Sequence, residues 1–128
     1  MKSKVLVLGS TNIGRVIESA LGNTFGVTTL PINGDFDAMQ ARHMLLSEPN
    51  IRKVFVVPNN GHLCDGLKTV IADAQKRRKP CTVLADAGCS ASGSLRDQSE
   101  RVGANFVSGD IDRETIVALA TSPVSMAL

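Results

Sequence analysis

Short apolar runs alternate with longer stretches of helical period along the whole chain. Residues 4–8, KVLVL, form a nearly continuous apolar run, the pattern of a strand covered on both faces. The next stretch places Ile13, Val16, Ile17, Ala20 and Leu21 on one face of a helix, capped by Thr11 or Asn12 and stopped by Gly22. Residues 27–32, VTTLPI, read as a second strand, and Pro31, which has no donor, marks it as an edge strand or a strand end. Asp35 or Asp37 caps a second helix carrying Met39, Ala41, Met44 and Leu45, which Glu48-Pro49 ends. Residues 53–57, KVFVV, are the third strand. A helix from about Asp65 to Arg78 follows and turns Leu67, Val70, Ile71 and Ala74 inward. Residues 81–85, CTVLA, are the fourth strand, and the Gly/Ser-rich loop GCSASGS leads into a helix near Leu95 to Val102. Residues 104–107, ANFV, make the fifth strand. Asp112 then caps a last helix with Ile116, Val117 and Leu119, ended by Ser122-Pro123.

Five strand–helix pairs with short connections predict an α/β fold of the (βα)5 kind. Its sheet is parallel and five-stranded, doubly wound with helices on both faces by right-handed crossovers. No linker or internal repeat interrupts residues 1–128, which read as a single domain. Ligands and chemistry in such folds sit at the carboxyl ends of the strands. The five strand-end loops are therefore the places to look for function.

Composition narrows the class. Of the 128 residues, 43% are hydrophobic and 20% charged, which fits a soluble globular domain with a real core. The formal charge of +2 is too small to imply nucleic acid. No apolar run approaches the roughly 20 residues needed to span a bilayer. The two lysines before VLVLG introduce a strand, because no small-residue cleavage site follows. Cys64, Cys81 and Cys89 are odd in number and form no CxxC, so a reducing, cytoplasmic setting is expected, with no disulfide framework or zinc site.

Candidate chemistry in the loops is thin. In GSTNIGR, Gly9 and Gly14 fit the outer positions of a dinucleotide fingerprint, and Asp35 lies about 21 residues beyond Gly14. The middle position is Thr11, whose side chain hinders the approach of a pyrophosphate. A flavin site lacks its aromatic platform, since the chain has no Trp and no Tyr. Six residues separate Cys89 from Arg96, one more than a phosphatase loop allows. His62, Cys64 and Asp65 are a weak metal pattern without a further ligand. His43 lies among Met and Leu and reads as a packed or snorkelling side chain. Cations in KRRKP, Lys76 to Pro80, complement the dipole at a helix C-terminus; attraction to an acidic partner or phosphate is the alternative.

The order of these segments resembles the response-regulator receiver domain, the CheY-like family, over essentially the whole chain. KVLVLGSTNIGRVIESAL resembles the opening strand and first helix, and KVFVVPNNGHLCDGLKTVIADAQ the central strand, its Asp65-Gly66-Leu67 turn and third helix. KPCTVLADAG is similar to the fourth strand, and SERVGANFVSGDIDRETIVALA to the closing segment. The resemblance implies the strand order 2-1-3-4-5. It also locates systematic departures. Gly9 and Ser10 stand where the family carries metal-binding acids. Pro58, eight residues before Gly66, stands where it carries the phosphoacceptor aspartate. The hydroxyl position falls on Ala85 or Asp86 and the lysine position on Ser108 or Gly109. Phosphoryl transfer to an aspartate needs a carboxylate nucleophile, a divalent cation held by carboxylates, and cations on the phosphoryl oxygens.

The expectation is a degenerate pseudo-receiver: not an enzyme, with no cofactor and no metal, acting as a phosphorylation-independent regulatory or protein-interaction domain of a two-component-type regulator. Such a domain can be the N-terminal module of a longer chain. The resemblance implies a homodimer or a protein partner through the fourth helix, fifth strand and fifth helix, a surface carrying Arg96, Asp97, Glu100, Arg101, Asp110, Arg113 and Glu114. Mixed charges there suit an isologous contact, and equally an ordinary solvated face. Neither membrane association nor direct nucleic-acid binding is expected. The alternatives are a Rossmann-like nucleotide- or anion-binding domain using the GSTNIG loop, and a cysteine enzyme using Cys89 or Cys64.

Overall fold

The computed structural model describes residues 3–9, 11–22, 25–31, 35–48, 50–58, 65–86, 92–109 and 113–121. Strands and helices alternate along them without exception: β1 (Lys4–Gly9), α1 (Thr11–Leu21), β2 (Gly26–Leu30), α2 (Asp35–Ser47), β3 (Ile51–Val57), α3 (Asp65–Lys76), β4 (Cys81–Asp86), α4 (Ser92–Arg101), β5 (Asn105–Gly109) and α5 (Arg113–Thr121). The strands form one parallel sheet in the order β2-β1-β3-β4-β5, as the sequence predicts.

The period-2 geometry of the strands divides the core into two layers. Val5, Val7, Phe55, Val57 and Leu84 face one side, where they pack with Ile17 and Leu21 of α1, Phe25, and Ile116 of α5. Leu6, Leu8, Val54, Val56, Val83 and Ala85 face the other, with α2, α3 and Leu95 of α4. Both faces are thus covered, which is why the strands read as apolar runs rather than alternating ones. Leu67, Val70, Ile71 and Ala74 make the buried stripe of α3, as their spacing predicts.

Boundaries differ where local chemistry outweighs pattern. β2 ends at Leu30, so Pro31 falls outside the strand, and β2 is indeed an edge. β3 begins at Ile51, because Lys4 and Ile51 pair before a register shift in the ladder. α4 begins at Ser92 within the Ser/Gly segment, and β5 extends to Gly109 beside Asp86. Met39 is 69% exposed and Val117 37%, so neither is a core residue. His43 is exposed rather than packed, and its carbonyl accepts a hydrogen bond from the Ser47 hydroxyl at 3.0 Å. The expected caps Asp112 and Ser122-Pro123 lie outside the described residues, as do His62, Cys64 and Cys89.

Candidate functional site

The parallel sheet brings the carboxyl ends of β1, β3, β4 and β5 to one rim. Gly9 is level with Val57, so Pro58 follows directly at that edge and is half-buried. Val56 is level with Val83, and the same offset carried forward sets Ala85 level with Pro58. Ala85 pairs with Ser108 and Asp86 with Gly109. Five of the positions singled out in the sequence, Gly9, Pro58, Ala85, Ser108 and Gly109, therefore share one rim with the backbone of Asp86. Ser10 lies outside the described residues.

Gly9 fixes the shape of that rim. Its φ of +118° belongs to a region that L side chains rarely adopt. A Cβ placed on it would lie 1.9 Å from the Val57 carbonyl oxygen. β1 and β3 thus approach backbone to backbone at the point where a receiver projects an acid. A carboxylate at position 9 is excluded by sterics as well as absent from the sequence. Beside it, the Pro58 ring has no nucleophile and no backbone donor. Ala85 is buried and apolar.

The divalent cation of the receiver family requires carboxylates at these strand ends. Gly9 and Pro58 supply none, and no group of three His, Cys, Asp or Glu able to hold a metal gathers among the described residues. The described residues of this rim do not fit that ion. Gly14, the other outer glycine of the dinucleotide alternative, is also closely packed. A Cβ on Gly14 would lie 2.7 Å from Thr29 Cγ2, so Gly14 is a contact between α1 and β2.

The surface expected to bind partners flanks the β5 edge, with α4 on one face of the sheet and α5 on the other. Arg96, Asp97, Glu100 and Arg101 of α4 are exposed, as are Arg113 and Glu114 in the first turn of α5. Asp110 lies outside the described residues. Arg96 Nε and Glu100 Oε1 are 3.6 Å apart, so part of the charge on α4 is already satisfied within the helix. No helix among the described residues is long and apolar enough to cross a membrane.

Cys81 is buried at the start of β4, and burial pushes its thiol up to about 12. It is an inert packing residue.

Sequence reasoning underweighted the opposite, amino-terminal end of the sheet. There Lys79 donates from Nζ to the Ile51 carbonyl, and Lys4 pairs with Glu48. Arg77 Nε lies 3.1 Å from Asp73 Oδ2 while Arg42 Nε lies 3.9 Å from Asp73 Oδ1. Arg78, not a glycine, takes the left-handed position after α3, with φ 60°. KRRKP was the available signal, but its helix-dipole explanation accounts for only part of this arrangement.

No protein-family model and no curated protein matches the sequence. Solved structures do. The chain is similar to the chemotaxis response regulator CheY4 of Vibrio cholerae, at 15% identity over 100% of both chains, with a TM-score of 0.65. It is similar to the receiver domain of NtrX from Brucella abortus, at 18% identity over 97% of each chain, with a TM-score of 0.64. The signal receiver domain of a putative Luxo repressor protein from Vibrio parahaemolyticus matches 99% of this chain with 93% of its own, at 13% identity and a TM-score of 0.64. At these identities the likeness establishes a receiver-like fold.

Proposed function

We propose that the chain is a pseudo-receiver: a regulatory domain of a two-component-type signalling or transcription regulator that acts through protein contacts and does not take up a phosphoryl group. The observation that carries this reading is the contact of Gly9 with the Val57 carbonyl, immediately before Pro58. At one rim Gly9 and Pro58 supply neither acid, nucleophile nor cation ligand, and Gly9 leaves no space for a side chain against the Val57 carbonyl. The fold remains, with a well-packed core and exposed charged helices, which is what a contact-making domain requires. On this reading the domain is not an enzyme, is cytoplasmic, and pairs with itself or a partner along α4, β5 and α5.

The test is incubation with acetyl phosphate and magnesium, followed by intact-mass measurement. An unchanged mass is expected. Gain of one covalent phosphoryl group overturns the reading. The dimer is checked by analytical ultracentrifugation of the natural chain and of the Arg96→Glu/Arg101→Glu variant. A dimer that the substitutions dissociate supports the α4-β5-α5 contact, and a monomer at every concentration removes it.

A further inference from the structure

Positive charge in this molecule is concentrated at the amino ends of the central strands, far from the degenerate rim. Ile51 is the hub. It pairs with Lys4 in the ladder, its carbonyl accepts the Lys79 ammonium, and Arg52, which is exposed, follows it in the chain. Lys53 comes next, and Val54 binds the Pro80 carbonyl, which draws the Lys76-Arg77-Arg78-Lys79 turn against the start of β3. Asp73 ties Arg77 to Arg42 of α2. The patch so defined holds eight cations and two carboxylates, Glu48 and Asp73. Its net of +6 within a chain of total +2 leaves −4 for the remainder.

Complementing a helix dipole needs one or two cations in the last turn. It does not account for Arg52, which lies on a strand, or for Arg78, which holds a backbone conformation disfavoured for arginine. Both carboxylates of the patch are already engaged, Asp73 by two guanidiniums and Glu48 by Lys4. Arg52, Lys76 and Arg78 are exposed, and none of them has an ion pair among the described residues. Mutual repulsion also registers: burial first, then Arg77, lowers the Lys79 ammonium, and burial, then Arg52, lowers that of Lys53.

We infer that this amino-end patch, centred on Arg52 and Arg78, is a docking surface for an acidic segment of a partner protein. Carboxylates are favoured because the patch already holds one: Arg77 Nε lies 3.1 Å from one oxygen of Asp73 and Arg42 Nε 3.9 Å from the other, and guanidiniums pair well with carboxylates. Single-stranded nucleic acid is disfavoured: Trp and Tyr are absent, Phe25 and Phe55 are buried and Phe106 packs against the core, so no stacking platform adjoins the patch among the described residues. A membrane surface is disfavoured because Ile51, Ala74 and Pro80, the apolar residues among these cations, are buried and leave nothing to insert.

The inference rests on the reading of this domain as a protein-interaction module. Its test is fluorescence anisotropy of a labelled oligoglutamate peptide at low ionic strength, in parallel with random-sequence duplex DNA and phosphatidylserine vesicles. Peptide binding is expected, weakened about tenfold by Arg52→Glu/Arg78→Glu and unaffected by Arg15→Glu/Lys68→Glu, which lie on α1 and α3 outside both the patch and the α4-β5-α5 surface. Arg52→Ser/Arg78→Gly, which removes charge while relaxing the backbone, keeps the test valid if charge reversal impairs folding. Absence of peptide binding overturns the inference. So does equal loss from both pairs of substitutions, or tighter binding of DNA or vesicles than of peptide. Covalent phosphate together with patch-dependent peptide binding overturns only the reading of the degenerate rim.

Discussion

At the residue scale, Gly9 shows how a missing group becomes a structural commitment. Its conformation and its contact with Val57 admit no side chain, so introducing an acid there is a folding problem before it is a chemical one. Gly9→Asp is expected to destabilise the domain by about 2–5 kcal/mol, from the disfavoured φ and the overpacking. It is expected to bring no uptake of phosphate; urea unfolding and intact mass after acetyl phosphate check the two halves. A second residue gives a pH dependence. The Cys81 thiol is pushed up to about 12 by burial, from a model-compound value of 9.0. Between those two values the native thiol keeps a proton that the unfolded chain has lost. Its contribution to stability is therefore fully present below 9.0 and declines by about 1.4 kcal/mol per pH unit as pH rises toward 12. Comparing urea midpoints of the natural chain and Cys81→Ala across that window isolates the effect, since the other alkaline titrations are common to both. An identical pH slope in the two proteins removes it. The sequence places Gly9 at the loop after the first strand and Cys81 at the start of the fourth. Neither the Gly9–Val57 contact nor the depth of Cys81 is legible there, because both depend on strand pairing.

At the element scale, the sequence is most legible where an element's own period does the packing. The α3 stripe of Leu67, Val70, Ile71 and Ala74 is such a case. α2 is less legible: Ala41 and Leu45 are buried, whereas Met39 and Leu46 are largely exposed, so its apolar residues do not trace one face. The end of α3 is informative for a different reason. A left-handed residue after a helix is usually glycine, and here it is Arg78. Gln75 reaches across to the Gly103 carbonyl, and Lys79 to that of Ile51, so neighbouring contacts hold the turn in place. Arg78→Gly is expected to raise stability by about 1 kcal/mol through relief of the backbone, read as a higher urea midpoint. A fall would mean that the Arg78 side chain makes a stabilising contact outweighing its strain. The same variant is expected to weaken binding of an acidic peptide, so stability and binding move in opposite directions. That opposition is the signature of a residue retained for something other than folding.

At the scale of the whole molecule, β3 joins the two layers of the core. Val54 and Val56 pack with α2, α3 and α4, while Phe55 and Val57 pack with α1 and α5. The continuous run VFVV makes double-sided burial legible in the sequence, and with it the fold class. The assignment of each helix to a face is not, because it follows from crossover geometry and strand order. Because β3, like β1 and β4 beside it, carries side chains of both layers and lies at the centre of the sheet, loss of packing in one layer is expected to disturb the other. Phe55 is completely buried at that junction. Phe55→Ala is expected to cost about 3–5 kcal/mol, a large share of the 5–15 kcal/mol typical of a domain. The loss should appear as one cooperative transition at lower denaturant. Native-state hydrogen exchange should speed up together in α1 on one face and α3 on the other. Ile116→Ala supplies the contrast, since Ile116 is equally buried in the same layer but belongs to the covering helix α5 and not to the shared sheet. Its removal should raise exchange in α1 and α5 more than in α3. If Phe55→Ala left exchange in α3 unchanged, the layers would be separable units, and the coupling assigned to β3 would be wrong. If both substitutions raised exchange everywhere alike, cooperativity would belong to the whole sheet rather than to its central strand.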